Sequence, residues 1–325
     1  MDAWTLRPYR ISDLDGILSL IRLVQPHTPY TLQRWTWEYP ECPGGPGQAW
    51  IAELDGRVIS HTGALPFDWH INRRKAKAVL WVDTMTHPEF RHRGLHASMK
   101  EMALQAFCAS DHSLAYVFPN DKSAGHIAKT QWHPVMKVPH LVRSARPGLR
   151  SGKLDGVRVE RWDGVSGGID RLCDSLREAF RFALVRDRAY LSWRYRKKPG
   201  DVYLPWAAFR AGELVGYLIY KDYHRADAPA GSHIVDVWTD PEDQDAMAAL
   251  VRQAVSLSER AGANSLSCWM PRHAPLHGVL REHGFDPDPQ DRTFFARVSA
   301  AFGGDPDEIR DPANWYITMG DSDVY

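Results

Sequence analysis

The feature of this sequence that most limits its fold is an internal repeat. The segment WEYPECPG at 37–44 shares Trp, Tyr, Pro and Gly, at the same spacing, with WRYRKKPG at 193–200, which lies 156 positions later. The segment VDTMTHPE at 82–89 agrees with VDVWTDPE at 235–242 in five of eight residues. Matching blocks in the same order predict one structural unit that is present twice.

Both copies carry the same predicted elements. Residues 49–65 and 205–221 each read as an apolar run, a turn with glycine at the same offset and a second apolar run, which predicts a β-hairpin. Helical stretches follow at about 93–108 and 243–261, and each half closes with a strand-like run and a further helix. We therefore expect an α/β fold of two tandem units, each a mixed, mostly antiparallel sheet flanked by helices.

The length of 325 residues also favours two domains. We predict an N-terminal domain over residues 1–145, a linker over 146–154 and a C-terminal domain over 155–325. The linker prediction rests on the Arg-, Gly- and Ser-rich stretch RSARPGLRSGKL.

Composition excludes several classes of function. Forty basic and forty acidic residues cancel, which argues against nucleic acid or a membrane as partner. Four widely separated cysteines, no signal-peptide pattern at the start and no apolar run of about 20 residues predict a cytoplasmic protein. Among fifteen histidines there is no His-Glu-x-x-His or Cys-x-x-Cys spacing, so we expect no metal.

The junction HPEFRHRGLHA at 87–97 joins a predicted strand to a predicted helix. Free N–H groups at a helix start, together with the helix dipole, form an anion site, and Arg91 and Arg93 would add donors suited to phosphate. Gly94 would allow close approach of the backbone. A solvated basic turn is the alternative interpretation.

This junction resembles the strand-to-helix segment of the GNAT acyltransferases, whose pattern is Arg/Gln-x-x-Gly-x-Gly/Ala. Arg91 and Gly94 match that pattern, whereas His96 stands where the family has Gly or Ala. Pro-Glu-Phe at 88–90 and Phe-Pro-Asn at 118–120 resemble further family segments. The whole order is similar to the tandem GNAT layout of mycothiol synthase and of the Eis-type acetyltransferases.

The resemblance implies that the first half binds acetyl-CoA or another acyl-CoA as co-substrate. The preceding strand would pair its backbone with the pantetheine arm, through Met85, Thr86 and His87. The loop would hold the pyrophosphate, through Arg91, His92, Arg93, Gly94, Leu95 and His96. Asn120 and Ser123 would also lie in the cofactor site, although Asn120 could instead be only a turn residue.

The second half has no such loop. After VDVWTDPE it continues DQDAMAALVRQ, with acidic residues and alanines where the first half has its arginines and glycine. Asp243 and Asp245 would repel a pyrophosphate at short range. We therefore expect that only the first half binds coenzyme A and that the second completes an acceptor pocket.

The family's usual acid is missing, because Ile127 stands where GNAT enzymes place a tyrosine. Its neighbour His126 would point about 100° away on a helix and is a weak substitute. Water or another residue could protonate the thiolate, or the site could differ from an ordinary acetyltransferase.

The identity of the general base is also undetermined. Asp83 lies on the strand that leads into the loop, but Asp236 matches it in the other half, which argues for a structural role. Asp321, Asp323 or a carboxylate at Tyr325 could reach the site after a final strand over 315–319; a frayed acidic tail is the alternative.

A tryptophan could line the acceptor pocket. Trp37 and Tyr39 recur as Trp193 and Tyr195 and read as packing residues, whereas Trp35 is unmatched and is the better candidate for the acceptor pocket.

These observations predict an acyl-CoA-dependent N-acyltransferase, an acetyltransferase in the simplest case, that acts on an amine of a small metabolite. Two alternatives remain open: a non-catalytic acyl-CoA-binding sensor, which the missing tyrosine favours, and a Fem-type aminoacyl transferase, against which the neutral charge and the phosphate loop argue. The sequence leaves the acceptor, the acyl chain and the oligomeric state undetermined.

Overall fold

The computed structural model describes residues 4–27, 29–145, 156–166, 168–225 and 228–325. The chain divides into two compact units. Unit 1 comprises Met1–Asp68, Ala76–Val117 and Ala296–Pro306, and unit 2 comprises Trp69–Lys75, Phe118–Phe295 and Asp307–Tyr325.

The described residues form a regular succession of strands and helices. The strands are β1 Thr5–Pro8, β2 Gln48–Leu54, β3 Arg57–Ile71, β4 Arg74–Thr86, β5 Leu114–Val117, β6 His133–Ser144, β7 Val157–Arg161, β8 Phe182–Leu184, β9 Leu204–Arg210, β10 Glu213–Arg225, β11 Ala228–Thr239, β12 Ser265–Trp269, β13 Asp286–Val298 and β14 Trp315–Tyr316. The helices are α1 Leu14–Val24, α2 Leu32–Glu38, α3 Leu95–Cys108, α4 Asp121–Ile127, α5 Ile169–Ala179, α6 Arg188–Arg196, α7 Gln244–Arg260 and α8 Pro275–Glu282.

The predicted duplication is confirmed element by element. Strand β9 begins and ends 156 positions after β2, and β10 begins 156 positions after β3. Even the helix caps repeat, since Thr31 caps α2 and Asp187 caps α6, each by accepting a hydrogen bond from the backbone N–H three residues later. Both copies therefore follow the predicted order of helix, hairpin, strand and helix.

Unit 1 contains a sheet in the order β1-β2-β3-β4-β5. Strands β1, β2 and β3 pair antiparallel, whereas β4 and β5 pair parallel. Strand β3 is buried along nearly its whole length. Helix α3 buries Leu95, Met99, Ala103 and Phe107, which recur every four residues and so form one apolar stripe.

Unit 2 contains a second mixed sheet, in the order β6-β12-β11-β10-β9-β7. Only the pairing of β11 with β12 is parallel in this series. Strand β8 pairs parallel with β14 and antiparallel with residues 69–71. Helix α7, predicted at 243–261, is longer than α3 and buries its own apolar stripe. The predicted α/β class with mixed sheets and flanking helices is confirmed.

The units do not follow the two sequence copies at every strand. Strand β6 ends the first copy, yet it belongs to unit 2, where it pairs antiparallel with β12. Conversely, Ala296–Pro306 of the second copy belongs to unit 1. The division into domains 1–145 and 155–325 stays a prediction, and the linker over 146–154 lies outside the described residues.

The final strand is shorter than the predicted 315–319. Strand β14 ends at Tyr316, and a 3₁₀ turn covers Met319–Asp321. Thr318 caps that turn, because its hydroxyl accepts from the N–H of Gly320 while the Asp321 carboxylate accepts from the N–H of Thr318. This reciprocal cap ends the extended backbone earlier than the apolar pattern indicates.

Candidate acyl-CoA and acceptor site

Strand β4 runs beyond its partner β5. The register pairs Ala78 with Leu114, Val79 with Ala115 and Leu80 with Tyr116, and β4 then continues to Thr86. Within this extension Asp83 has a φ of 51°. A non-glycine residue in the left-handed region is uncommon in a strand and often marks a functional position. The extension is a suitable edge for pairing with an extended ligand.

Part of that edge already has partners inside unit 1. The carbonyl of Met85 accepts from the Ser60 hydroxyl at 2.7 Å, and the N–H of His87 donates to the carbonyl of Ile59 at 2.9 Å. The carbonyl of Thr86 accepts from Arg91 Nε at 3.2 Å. Since a carbonyl oxygen can accept twice, these bonds leave acceptor capacity at both carbonyls. The predicted pairing of these three residues with pantetheine stays a prediction.

The predicted phosphate loop lies on the surface of unit 1, at the start of α3. Arg91, His92, Arg93 and Gly94 are exposed, Leu95 is buried in the core and His96 is half-buried. Gly94 is the N-cap, with a φ of 80°, and a glycine offers no side chain that could cap the helix. The first N–H groups of α3 and the positive end of its dipole are therefore available to an anion.

Two contacts arrange the arginines of this loop. Arg91 is held to the end of β4 through its Nε, and the Arg93 guanidinium lies over the Phe90 ring at 5.3 Å from its centroid. Both side chains remain largely in solvent, where a forked donor can meet phosphate oxygens. The geometry is compatible with a pyrophosphate, and binding of a pyrophosphate at this loop stays a prediction.

The matching helix of unit 2 has a carboxylate in this place. Asp243 caps α7 by accepting from the N–H of Ala246 at 3.0 Å, and the same oxygen accepts from Arg210 Nη2 at 2.7 Å. A groove of about 920 Å³ beside it carries further acidic side chains, namely Glu213, Asp240, Glu242 and Asp245. A phosphate there would meet carboxylates at a helix start that is already capped. This supports coenzyme A binding in the first repeat only, which stays a prediction.

Asp83 lies in an aromatic cluster of unit 1. Tyr39 donates its hydroxyl to Asp83 Oδ2 at 3.3 Å and stacks on Trp35, with ring centroids 4.0 Å apart. His61 Nδ1 lies 2.9 Å from the backbone carbonyl of Asp83. A β-carbon at Gly63 would lie 2.0 Å from the Tyr39 hydroxyl, so only glycine leaves room for this tyrosine to reach Asp83.

This arrangement changes the interpretation of two aromatic residues. Tyr39, expected to be a packing residue, is buried but uses its hydroxyl on the candidate base. Trp35, predicted to line the acceptor pocket, is 1% exposed and contacts Tyr39 and His61 in the same cluster. Its role toward an acceptor stays a prediction, and its place beside the Tyr39–Asp83 pair supports that prediction.

Sequence reasoning missed two further members of the cluster. Tyr30 donates its hydroxyl to Glu38 Oε2 at 2.5 Å, and both side chains are buried. Burial raises the pKa of Tyr30, and the carboxylates of Glu38 and Asp83 raise it further. The repeat offset contained the signal, because it aligns Tyr30 with Arg186 and Glu38 with Arg194. A change of charge between matched positions marks a place where the copies have diverged.

The matching aspartate of unit 2 has a structural environment. Arg186 Nε donates to Asp236 at 3.0 Å and Arg186 Nη2 donates to Asp321 at 2.8 Å. All three side chains are buried. Burial acts to lower the pKa of Arg186, but the two carboxylates outweigh it, so the pKa lies well above its ordinary value. Asp236 thus neutralises a buried guanidinium, as the structural interpretation of this position expects.

Asp321 and Asp323, predicted as alternative bases, lie in the final segment of unit 2. Asp321 is buried against Arg186, and burial raises the pKa of its carboxyl to about 6, although Arg186 acts in the opposite direction. Asp323 is half-buried. The segment is held by Tyr190, which donates to the Gly320 carbonyl, and by Arg194, which donates to the Ser322 carbonyl. A frayed tail is therefore wrong, while a catalytic role for either aspartate stays a prediction.

Asn120 and Ser123 begin α4 in unit 2. Asn120 is the N-cap, and its side-chain oxygen accepts from the N–H of Ser123 at 3.0 Å. The Ser123 hydroxyl lies 3.0 Å from the same oxygen. Ile127, in place of the family's tyrosine, is buried at the end of α4. The capping role of Asn120 is thus present, and its contact with cofactor stays a prediction.

Within the part of the chain that the structure describes, no group of three or more His, Cys, Asp and Glu side chains could hold a metal ion. None of the helices over the same residues combines the length and the apolar character that a membrane span requires.

Residues 5–130 match the family model described as an acetyltransferase (GNAT) domain. No curated protein matches the sequence. A probable N-acyltransferase from Enterococcus faecalis V583 superposes with a TM-score of 0.69 at 16% identity, over 93% of this chain and 74% of its own.

Two other solved structures widen the comparison. N-myristoyltransferase of Saccharomyces cerevisiae, with bound myristoyl-CoA, gives a TM-score of 0.63 at 12% identity, over 92% of this chain and 84% of its own. A tandem GNAT protein of the clavulanic acid biosynthesis pathway gives 0.60 at 16% identity, over 93% and 100%. Identities this low show a shared fold. The family-model match identifies residues 5–130 as a GNAT acetyltransferase domain, and the fold is shared with a tandem GNAT protein, as predicted.

Proposed function

We propose that this protein transfers an acyl group, acetyl in the simplest case, from coenzyme A to an amine of a small metabolite. The observation that carries the proposal is the start of α3. There an uncapped helix N-terminus, a left-handed Gly94 and two exposed arginines follow a strand that extends past its partner. The pyrophosphate binds at the helix start, and the pantetheine arm lies along the extension of β4.

In this proposal Asp83 is the proton acceptor. Its carboxylate takes a proton from the bound ammonium ion, and the neutral nitrogen then attacks the thioester carbonyl carbon. The carbon–sulfur bond breaks, the sulfur leaves as a thiolate, and the remaining excess proton on nitrogen passes to that sulfur. The products are an N-acyl amine and the free thiol of coenzyme A, and Asp83 returns its proton to solvent. This route needs no tyrosine at position 127.

The carboxylate of Asp83 suits this role better than that of Asp321. Asp83 is half-buried, whereas Asp321 is 2% exposed and already bound to Arg186. The acceptor would lie beside the Tyr39–Asp83 pair, with Trp35 behind it.

Binding of acetyl-CoA tests the first part of the proposal. The double variant Arg91→Glu plus Gly94→Asp replaces the anion site with carboxylates, and calorimetric titration should show affinity for acetyl-CoA falling at least 100-fold. Asp243→Ala removes the cap of the matching helix in unit 2 and is the control, which should bind acetyl-CoA as the unaltered protein does. Undiminished binding by the double variant would contradict the proposal.

Release of the coenzyme A thiol with a panel of amines tests the transfer itself. Turnover with at least one amine, lost by about 100-fold in Asp83→Asn, is the expected result. Binding of acetyl-CoA without thiol release for any amine would refute transfer and leave only acyl-CoA binding.

A further inference from the structure

Arg57 is the first residue of strand β3 and lies outside the loop motif. The N–H of His87 donates to the carbonyl of Ile59 at 2.9 Å, which brings the start of β3 beside the end of β4. There Nη2 of Arg57 contacts Nε2 of His87, and Nη1 of Arg57 lies 3.6 Å from the carboxylate of Glu89. The first residue of β3 thus adds a guanidinium group to the junction that leads into α3.

Three guanidinium groups are attached to the short segment 86–90, and they belong to Arg57, Arg91 and Arg93. Their contacts are, in the same order, the His87 ring, the Thr86 carbonyl and the Phe90 ring. The two rings contact each other edge to face, with centroids 5.7 Å apart. One small element of unit 1 therefore positions three cations.

His87 holds the Arg57 side chain as a hydrogen-bond acceptor. A guanidinium can only donate, so the ring nitrogen that it contacts must carry no proton. Burial lowers the pKa of His87, and the positive charges of Arg57 and Arg91 lower it further, although Glu89 acts in the opposite direction. The imidazole is therefore neutral at physiological pH and can accept from Arg57.

The contact between Arg57 and Glu89 is weak enough to be exchanged. Their side chains are 55% and 69% exposed, and an exposed ion pair contributes little to stability. A guanidinium carries five N–H donors in a planar fork, which suits the oxygens of a phosphate. A phosphate at this place could therefore replace the Glu89 carboxylate at little cost.

The second repeat shows which space the first residue of the hairpin strand borders. Glu213 begins β10 after the matching turn glycine and aligns with Arg57, and Asp240 aligns with His87. Both acidic residues line the groove of about 920 Å³ beside the start of α7, together with its cap Asp243. The start of the hairpin strand and the start of the helix thus border one space in unit 2.

The charge at this strand position differs between the repeats together with the charge of the loop. In unit 2 Glu213 accompanies Asp243 and Asp245, whereas in unit 1 Arg57 accompanies the arginines of the loop. Because the two repeats share their order of elements, the matching space in unit 1 carries the opposite charge. Such a space is suited to an anion with more than one phosphate group.

We infer that Arg57 is a further binding residue for the acyl-CoA cofactor, and that its guanidinium donates to a phosphate of the nucleotide moiety. The inference rests on the proposed function, because it assumes that the cofactor binds at the start of α3. On binding, the phosphate takes the place of Glu89 at the guanidinium, while His87 keeps the side chain oriented. Glu89 is then a competitor of the cofactor.

Calorimetric titration of the full chain with acetyl-CoA tests the inference. Arg57→Gln should weaken binding at least tenfold, because it removes a charge-assisted contact. Arg57→Lys keeps the charge but loses the fork, and its affinity should lie between the two. Arg22→Gln removes an exposed positive charge from α1 and is the matched control, which should stay within twofold. Affinity of Arg57→Gln within twofold of the unaltered protein would overturn the inference.

The variant Glu89→Gln separates phosphate binding from a structural ion pair. If Arg57 meets a phosphate, removal of the competing carboxylate should leave the affinity for acetyl-CoA unchanged or raise it. If Arg57 only holds the junction through Glu89, both variants should weaken binding alike, and that result would contradict the inference. Both side chains are exposed, so each variant should fold, and the urea midpoint checks this.

The analogue 3′-dephospho-coenzyme A identifies the phosphate that Arg57 meets. It lacks the ribose phosphate and keeps the pyrophosphate, so a loss in Arg57→Gln that disappears with this analogue assigns the contact to the ribose phosphate. A loss that persists assigns it to the pyrophosphate. In both cases the loss should shrink as potassium chloride is raised, because salt screens exposed charges. A loss that is independent of salt would contradict a phosphate contact.

The outcomes separate this inference from the proposed function. Undiminished binding of acetyl-CoA by Arg91→Glu plus Gly94→Asp would contradict the proposed cofactor site itself. Loss of binding by that double variant, with normal binding by Arg57→Gln, would support the cofactor site and overturn only the role of Arg57.

Discussion

Asp83 and Asp236 occupy matching places in the two repeats, and each accepts a hydrogen bond from a matching tyrosine, Tyr39 or Tyr195. Asp236 is closed off by Arg186, whereas Asp83 is half-buried among Tyr30, Glu38 and His61. The helix starts show the same contrast, because Gly94 leaves α3 uncapped and Asp243 caps α7. The carboxylate of the second repeat is paired with a buried guanidinium and its helix start has a side-chain cap, whereas in the first repeat the carboxylate is half-buried and the helix start has no side-chain cap.

The comparison shows that two copies of one fold can keep the same Tyr–Asp pair and differ, through a few substitutions, in the charged groups beside it. In both repeats the tyrosine hydroxyl lies against a glycine. A β-carbon at Gly63 would collide with the Tyr39 hydroxyl, and one at Gly320 would lie 2.3 Å from the Tyr195 hydroxyl. These glycines come from different elements, so the close approach is achieved in two ways around the same pair. The polar frame is common, and the charge placed beside it differs.

The largest expected effect comes from removing the internal cation of unit 2. Arg186→Leu leaves the carboxylates of Asp236 and Asp321 buried without their partner, and we expect a loss of about 3–5 kcal/mol in the free energy of unfolding. Urea denaturation measures it. Arg171→Leu breaks an exposed pair with Glu213 and should change stability by less than about 0.5 kcal/mol. Equal losses of stability in the two variants would contradict a structural role for the buried Arg186 that the exposed Arg171 lacks.

The next effect concerns acid stability of unit 1. Burial lowers the pKa of His61 to about 4, although the hydrogen bond to Asp83 opposes the shift, and an unfolded histidine titrates near 6.5. Because the folded value is depressed, the contribution of neutral His61 is complete above about pH 6.5 and is lost as the pH falls toward 4.

The variant His61→Gln should therefore lose less stability than the unaltered protein between pH 7 and 4, by on the order of 3 kcal/mol. Urea midpoints at several pH values measure this difference. Burial also lowers the pKa of His70 and His233, and both remain in the two proteins, so their effect cancels. Parallel curves for the two proteins would show that His61 is not held neutral in the cluster.

A smaller effect is expected at the helix starts. Asp243→Ala removes the cap of α7 and its ion pair with Arg210, and should lower stability by about 1 kcal/mol. Its affinity for acetyl-CoA should remain unchanged, because the proposed anion site belongs to α3. A gain of acetyl-CoA binding by the second repeat in this variant would sharpen the comparison, since it would reduce the difference between repeats to one carboxylate.

The smallest effect is expected at Asp323. This residue is half-buried, and Asp323→Asn should change stability by less than about 0.5 kcal/mol and turnover by less than about twofold. Steady-state rates with the best amine measure the second value. A fall in turnover comparable to that of Asp83→Asn would indicate that Asp323, and not Asp83, acts as the general base.

Much of the fold could be predicted from the sequence because the same order of turn and apolar patterns occurs in both halves. The hairpins, the helices after the VD-x-x-T-x-PE segments and the loop at Arg91–Gly94 follow from local patterns of turn residues and apolar spacing. The sequence also predicted a difference in charge between the starts of α3 and α7, because Asp243 and Asp245 stand where the first repeat has arginines and glycine, but it did not predict that Asp243 caps α7.

The contacts of the site could not be predicted in the same way. The sequence left open whether the acidic residues after Gly320 reach the active site or form a frayed tail, because Arg186, which binds Asp321, lies 135 positions earlier. Tyr39 reads as packing because its hydroxyl partner lies 44 positions away. Periodicity reports the face on which a side chain lies, but not the distant group that it meets there.

The pairing of β6 with β12 has a consequence for how the chain is made. His140 lies opposite Trp269 in that ladder, so the sheet of unit 2 cannot close until synthesis has passed residue 269. Contacts between such distant residues slow folding, and strand β6 has to wait with an open edge while more than a hundred residues emerge from the ribosome. The gene therefore carries two copies of one fold, but the growing polypeptide does not complete them one after the other.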